Sequence, residues 1–165
     1  MSDTDRVREV FEVSYRRLVG QLYGVCGDLT EAEEVVAEAF ARAVQHERTF
    51  RRVDNPEAWL RTVAVNVSRS RFRRARFAAT HQVAPVDPPD LEDDRLALMA
   101  ALRRLPAVQR EAIALHYLAD LPVAEVAACT GVPVGTVKTR LSRGRAALAA
   151  LLATVPDTRE EASHG

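Results

Sequence analysis

With 165 residues, 47% of them hydrophobic and 28% charged, the chain has material for one ordinary domain or two very small ones, and its composition excludes collagen, low complexity and wholesale disorder. Its net charge is zero, from 23 basic and 23 acidic side chains. The longest apolar run, Ala146 to Ala153, falls far short of a membrane span, and the acidic start Met1-Ser2-Asp3-Thr4-Asp5 carries no secretory pattern. A soluble, cytoplasmic protein with no membrane insertion of its own is expected.

In chain order the pattern is helical almost throughout. Val7, Val10, Phe11, Tyr15, Leu18, Leu22 and Val25 recur at three- and four-residue spacing, the stripe of an amphipathic helix. Gly27 is its expected stop, because glycine tolerates the left-handed conformation that closes helices. Thr30-Glu31-Ala32-Glu33 offers a capping box for a second helix, with Val35, Val36, Ala39, Phe40 and Ala43 inward. Glu31, Glu34 and Glu38 share one face of that helix, an acidic stripe. Asn55-Pro56 opens a third helix, a capping amide followed by proline at the first helical position. It turns Trp59, Leu60, Val63, Ala64 and Val67 inward. A three-helix bundle over residues 1–76 follows. Cys26 and Cys129 lie within helical patterns far apart in sequence and read as buried small hydrophobes in a reducing compartment.

Charge is segregated along the chain. Between Arg61 and Arg76 lie six arginines and no acid, whereas residues 77–94 hold five acids (Asp87, Asp90, Glu92, Asp93, Asp94) and no Lys or Arg. Local patches, more than net charge, set phosphate affinity. Residues 77–94 also contain Pro85, Pro88 and Pro89 without a helical stripe, and read as a flexible acidic linker whose first and last residues can belong to the flanking helices.

Residues 95–152 form a second expected domain. Leu96, Met99 and Leu102 share a face, and a helix from Pro106 carries Val108, Ala112, Ile113 and Tyr117 as candidate core. Then three spacings coincide: Ala127, small where two helices must cross closely; Gly131, four residues on, suited to a turn of positive φ; and Val137, six further, returning an apolar side chain to the crossing. This is the physical grammar of a helix-turn-helix. Leu141 and Leu148 extend the buried side of its second helix, whose opposite side presents Lys138, Thr139, Ser142 and Arg143, with Arg140 and Arg145 alongside. Such a surface sets a few side chains against base edges in the major groove and arginines on phosphates. The backbone near Gly135 can approach a phosphate at the helix start. The tail, residues 153–165, is expected to be disordered.

The segment Leu105-Pro106-Ala107-Val108-Gln109-Arg110-Glu111, followed by Gly135-Thr136-Val137-Lys138-Thr139-Arg140-Leu141-Ser142-Arg143-Gly144-Arg145, closely resembles region 4 of sigma-70-type bacterial RNA polymerase sigma factors, in particular the short extracytoplasmic-function group. Asp28 to Val36 resembles region 2.2, and Trp59-Leu60-Arg61-Thr62-Val63-Ala64-Val65-Asn66 with the arginines after it resembles regions 2.3 and 2.4. The resemblance implies an all-α protein of two small helical domains joined by the linker: residues 1–76 for core polymerase binding and −10 recognition, residues 95–152 for −35 recognition.

By that resemblance Glu34, Glu38, Phe40 and Arg42 dock on core RNA polymerase. Asn66 lies where the family reads a flipped base of the −10 element, and Arg61, Arg69, Arg71, Arg73 and Arg74 hold the phosphates of the separated strand. Capture of unstacked bases offsets the few kcal/mol of unpairing. Lys138, Thr139, Ser142 and Arg143 read the −35 duplex. The linker threads polymerase channels, its acids mimicking nucleic acid. Partners are then core RNA polymerase, promoter DNA and, as the family leads one to expect, an anti-sigma factor. Three departures from the family pattern stand out: Ala37 in place of a usual Gln, Ser70 in place of a frequent Asp, and Pro122 in place of a Ser cap. The alternative is a free-standing helix-turn-helix regulator, which leaves the N-terminal bundle without a purpose. An enzyme is not expected and no cofactor is implied: His46, His81, His116 and His164 are scattered, and neither a phosphate-binding glycine loop nor a nucleophile motif is present.

Overall fold

The computed structural model describes residues 3–77 and 84–154; the expected tail lies, from residue 155 on, outside the described residues. Among them are eight α-helices and no strand: α1 (Asp3–Cys26), α2 (Leu29–Gln45), α3 (Glu47–Arg51), α4 (Pro56–Phe77), α5 (Asp93–Arg103), α6 (Ala107–Ile113), α7 (Val123–Thr130) and α8 (Val134–Ala153), with a π-helical turn, Ala114–Leu118, continuing α6. No described helix is long and apolar enough to cross a membrane.

Local chemistry sets the boundaries. Gly27 closes α1 at φ +78° and Gly131 closes α7 at φ +71°, a region that costs glycine nothing. Asn55 Oδ1 accepts the Ala58 N–H at 3.1 Å and Pro56 is the first residue of α4. The second helix begins earlier than its capping box suggests. Asp28 is the cap, accepting the Glu31 N–H at 3.0 Å, while Thr30 is exposed within the first turn. A carboxylate caps at least as well as a hydroxyl and also complements the helix dipole. Two elements have no sequence signature. The five-residue α3 is anchored by Phe50, buried edge-on against Trp59 with ring centroids 5.3 Å apart. In the π turn the Ala119 N–H reaches back five residues to the Ala114 carbonyl.

Helices α1, α2 and α4 pack on one another around Leu18, Leu22, Val35, Val36, Leu60 and Val65, all almost fully buried. The C-terminal helices enclose Leu102, Leu115, Val126 and Val137. Burial of each such side chain favours the fold by about 1.5–3 kcal/mol. Three expected core residues lie outside. Phe11, Val108 and Tyr117 are 42%, 45% and 47% exposed, because neighbours on the same stripes already complete the contact faces and leave these positions at the edge.

The two halves are in contact. Helix α1 meets α6 and the π turn, and α4 meets α7. Gly24 provides a notch at the first contact: a Cβ there would lie 2.5 Å from Leu118 Cδ1 and 3.1 Å from Ala114 Cβ. The linker is held along part of its described length. Val86 donates its N–H to Asp28 Oδ1 at 2.5 Å and accepts the Leu29 N–H at 3.1 Å. Asp87 is bonded by both Arg103 and Tyr23.

Candidate nucleic-acid interface

The turn at Gly131 sets α8 across α7, with Val137 and Leu141 buried beneath. One helical side being committed to the core, the other faces outward. Lys138, Thr139, Ser142, Arg143 and Arg145 are all exposed and Arg140 is half-buried. The Thr139 hydroxyl donates to the Gly135 carbonyl at 3.1 Å, which fixes its rotamer and leaves its oxygen lone pairs outward as acceptors. Arg145 donates to the Tyr117 hydroxyl at 2.8 Å. A groove of about 330 Å³ runs between α6 and α8, and Gln109 and Thr136 line it together with Thr139, Arg140 and Arg143. Gln109 and Thr136 were not among the sequence candidates. Thr136 precedes Thr139 by three positions on one helical face, a spacing that could have revealed it.

On α4 the candidates divide. Asn66, Arg73 and Arg74 are exposed, a carboxamide and two guanidinium groups open to a strand. Arg61 is a correction. It is 8% exposed and donates from Nε to the Gln21 side chain at 2.9 Å, so it ties α4 to α1 instead of facing a phosphate. Its place on the inward stripe, beside Leu60 and Ala64, accounts for that burial. Arg71 reaches across to α2, with Nε 2.8 Å from Glu31 and its terminal nitrogen on Glu34. Burial by itself would lower the Arg71 pKa, but bonding to Glu34 and the charge of Glu31 outweigh it and raise the value. Burial also raises the pKa of Glu31, although Arg71 opposes the shift. Arg69 turns to the C-terminal half: it binds Glu111 through two nitrogens, at 3.0 and 2.5 Å, and donates to the Thr130 carbonyl at 2.7 Å. Bonding to Glu111 raises the Arg69 pKa.

The α2 candidates sit apart from these. Glu38 pairs with Arg42 at 3.0 Å, an exposed i,i+4 contact worth a few tenths of a kcal/mol. Glu34 is half exposed despite Arg71. Phe40 is buried and meets Phe11 edge-on at 5.0 Å. It therefore belongs to the core, with one side lining a shallow apolar depression between Val7 and Val44. A larger cleft of about 620 Å³ separates α4 from α6, lined by Ser68, Phe72, Arg73, Val108 and Arg110 among others. Cys26 borders it, its sulfur 3.4 Å from the Ser68 hydroxyl, and burial pushes its thiol up to about 11. Among the described residues no group of three His, Cys, Asp or Glu side chains is placed to hold a metal ion.

Residues 10–78 match the family model of sigma-70 region 2, and residues 95–148 that of sigma-70 region 4. The chain is 32% identical over 158 residues to the ECF RNA polymerase sigma factor EcfG of Rhodopseudomonas palustris (strain TIE-1), covering 90% of this chain and 86% of that protein. It is 28% identical to the ECF RNA polymerase sigma factor SigW of Bacillus subtilis (strain 168), covering 88% of each. Among solved structures, the sigma factor RpoE of Bartonella quintana, determined in complex with the anti-sigma factor NepR, superposes with a TM-score of 0.75 at 27% identity, over 89% of this chain and 96% of that one.

Proposed function

The chain belongs to the extracytoplasmic-function group of the sigma-70 family; it is an alternative sigma factor that binds core RNA polymerase and directs promoter-specific initiation, and from that premise we propose how its residues divide the work. Residues 95–152 read the −35 element as duplex, with Lys138, Thr139, Ser142 and Arg143 toward base edges and Arg140 and Arg145 toward phosphates. Residues 1–76 dock on the polymerase through the α2 face that carries Glu34, Glu38 and Arg42, over a core that includes Phe40. The same domain takes the −10 strand on α4, with Asn66 pairing to an extruded base and Arg69, Arg71, Arg73 and Arg74 on phosphates. The acidic linker spans the two elements. An anti-sigma factor is a further partner, as for the Bartonella relative. The protein is a specificity subunit and not an enzyme, and it works in the cytoplasm, on the nucleoid when polymerase-bound.

The observation that carries this reading is the outward side of α8, where Lys138, Thr139, Ser142 and Arg143 stand exposed above a core-facing Val137 and Leu141. Reconstitution with purified core polymerase, followed by run-off transcription from a genomic library, tests it. A stable assembly with a restricted set of start sites is the expected result. Absence of either the assembly or the restriction would refute the assignment.

A further inference from the structure

Helix α1 meets α6, and α4 meets α7. The cleft of about 620 Å³ fills the gap that these two packings leave between α4 and α6. That volume lies within the range of small-molecule sites, about 300–1,000 Å³.

The lining sorts into apolar walls and a positive corner. Val25 and Ala107 belong to the walls, together with Phe72 and Val108, which are 46% and 45% exposed and so turn apolar surface to solvent at the mouth. Six charged side chains border the same space, and four of them neutralise one another. Arg69 holds both oxygens of Glu111, and Arg71 holds Glu31 at 2.8 Å. Arg73 and Arg110 remain, one from each wall, and give the cleft an excess of positive charge.

Arg110 is the better anchor of the two. Its neighbour Glu111 is already claimed by Arg69, and its own hydrogen bonds go to backbone carbonyls, from Nε to Val25 at 2.8 Å and from Nη1 toward Leu105 at 3.5 Å. Burial lowers its pKa despite the Glu111 charge nearby. A guanidinium carries five N–H donors in a planar fork. One that meets only neutral carbonyls in a sheltered place gains most from a carboxylate, whose two oxygens match that fork. The bonds to Val25 and Leu105 also hold the group in one orientation before any ligand arrives, which reduces the ordering cost of binding.

We propose that the cleft between α4 and α6 is a binding site for a small amphipathic acid, with its carboxylate at Arg110, Arg73 at the rim, and a flat apolar body laid between Phe72 and Val108. A sugar–phosphate chain would use the positive corner and leave the apolar walls wet. A ring bearing a carboxylate uses both, and burial of the ring adds to the affinity in proportion to the apolar area removed from water.

The test uses the full-length chain, with naphthoate as the probe and its neutral isostere naphthamide as the control, both by isothermal titration calorimetry. Naphthoate should bind saturably at one site per chain, and at least about tenfold more tightly than naphthamide, the difference that a charge-assisted hydrogen bond makes. Val108→Trp fills the cleft from an exposed helix position and should abolish binding. Arg110→Gln should erase the preference for acid over amide. If Arg110→Gln loses helical circular dichroism, Arg110→Lys replaces it; keeping the charge without the fork, it should narrow the preference. The proposal is overturned by an absence of saturable binding, by equal affinity for acid and amide, by wild-type binding in Val108→Trp, or by an undiminished preference in the Arg110 variant. Displacement of naphthoate by millimolar inorganic phosphate would overturn it too, because the head group would then sit on a plain phosphate contact. Neither polymerase nor DNA enters the test, so its failure leaves the promoter assignment untouched.

Discussion

Gly144 of α8 lies against Ile113 of α6 so closely that a Cβ at position 144 would sit 2.8 Å from Ile113 Cγ1 and 3.2 Å from Cδ1. Isoleucine is β-branched and nearly fixed at χ1 within a helix, so it cannot swing aside. Gly144→Val is therefore expected to destabilise the protein by about 1–3 kcal/mol, read as a lowered midpoint in urea. Gly20, mid-helix in α1 with nothing within 4 Å of its Cβ position, is the counterexample. Gly20→Ala should stabilise by about 0.5–1 kcal/mol, and a midpoint that moved the other way would contradict the packing described.

Arg143 is exposed on α8 next to Ser142 and borders the groove with Gln109 and Thr136. A bidentate contact to a base would make Arg143→Ala cost about 1–3 kcal/mol in initiation from a promoter that depends on its −35 element. Single-round transcription with core polymerase measures it, and wild-type output would remove Arg143 from base reading.

Asn66 stands exposed on α4 between the buried Val65 and Val67. Truncation to alanine leaves that packing intact but deletes both a donor and an acceptor. Asn66→Ala should thus retain polymerase binding and lose strand opening. Permanganate footprints of unpaired thymines report the opening directly, and footprints indistinguishable from wild type would argue against the assignment.

The pH dependence of stability has a sign that the buried groups dictate. Burial raises Cys26 to about 11, and burial with the Asp87 hydrogen bond raises Tyr23 to about 12. A raised folded pKa means stability fully present below the unfolded value, roughly 8.5 for a thiol, and lost as the pH climbs toward the folded one. Urea midpoints should fall between about pH 8.5 and 11, and fall less in Cys26→Ala. On the acid side Asp87 is held low by the Arg103 and Tyr23 hydrogen bonds. Its contribution is present above roughly pH 3.9 and disappears as the pH drops through its folded value. An alkaline slope identical in wild type and Cys26→Ala would show that Cys26 is not buried as described.

Much of this architecture is legible because its causes are local. Gly27, Gly131 and the pair Asn55-Pro56 announce helix ends through their own backbone chemistry, and the outward side of α8 follows once Val137 and Leu141 are assigned inward. Asp28 displaces Thr30 as the cap because a better acceptor stands two residues earlier. Other features depend on partners remote in sequence. Nothing near Arg61 announces Gln21, and nothing near Arg69 announces Glu111, 42 positions away. An arginine run signals positive charge but not which members the fold itself will claim. Phe11, Val108 and Tyr117 follow their stripes correctly and end at the rim, since a stripe gives direction but not depth.

The sheltering of Arg69 and Glu111, whose side chains are 31% and 7% exposed, has a consequence for salt dependence. Mobile ions screen such a pair weakly, whereas the grip of neighbouring arginines on nucleic acid falls steeply as ionic strength rises, through the counterions each phosphate sheds. Concentrated salt is therefore expected to leave this join between the two halves closed while it strips the outward-facing arginines from a polyanion.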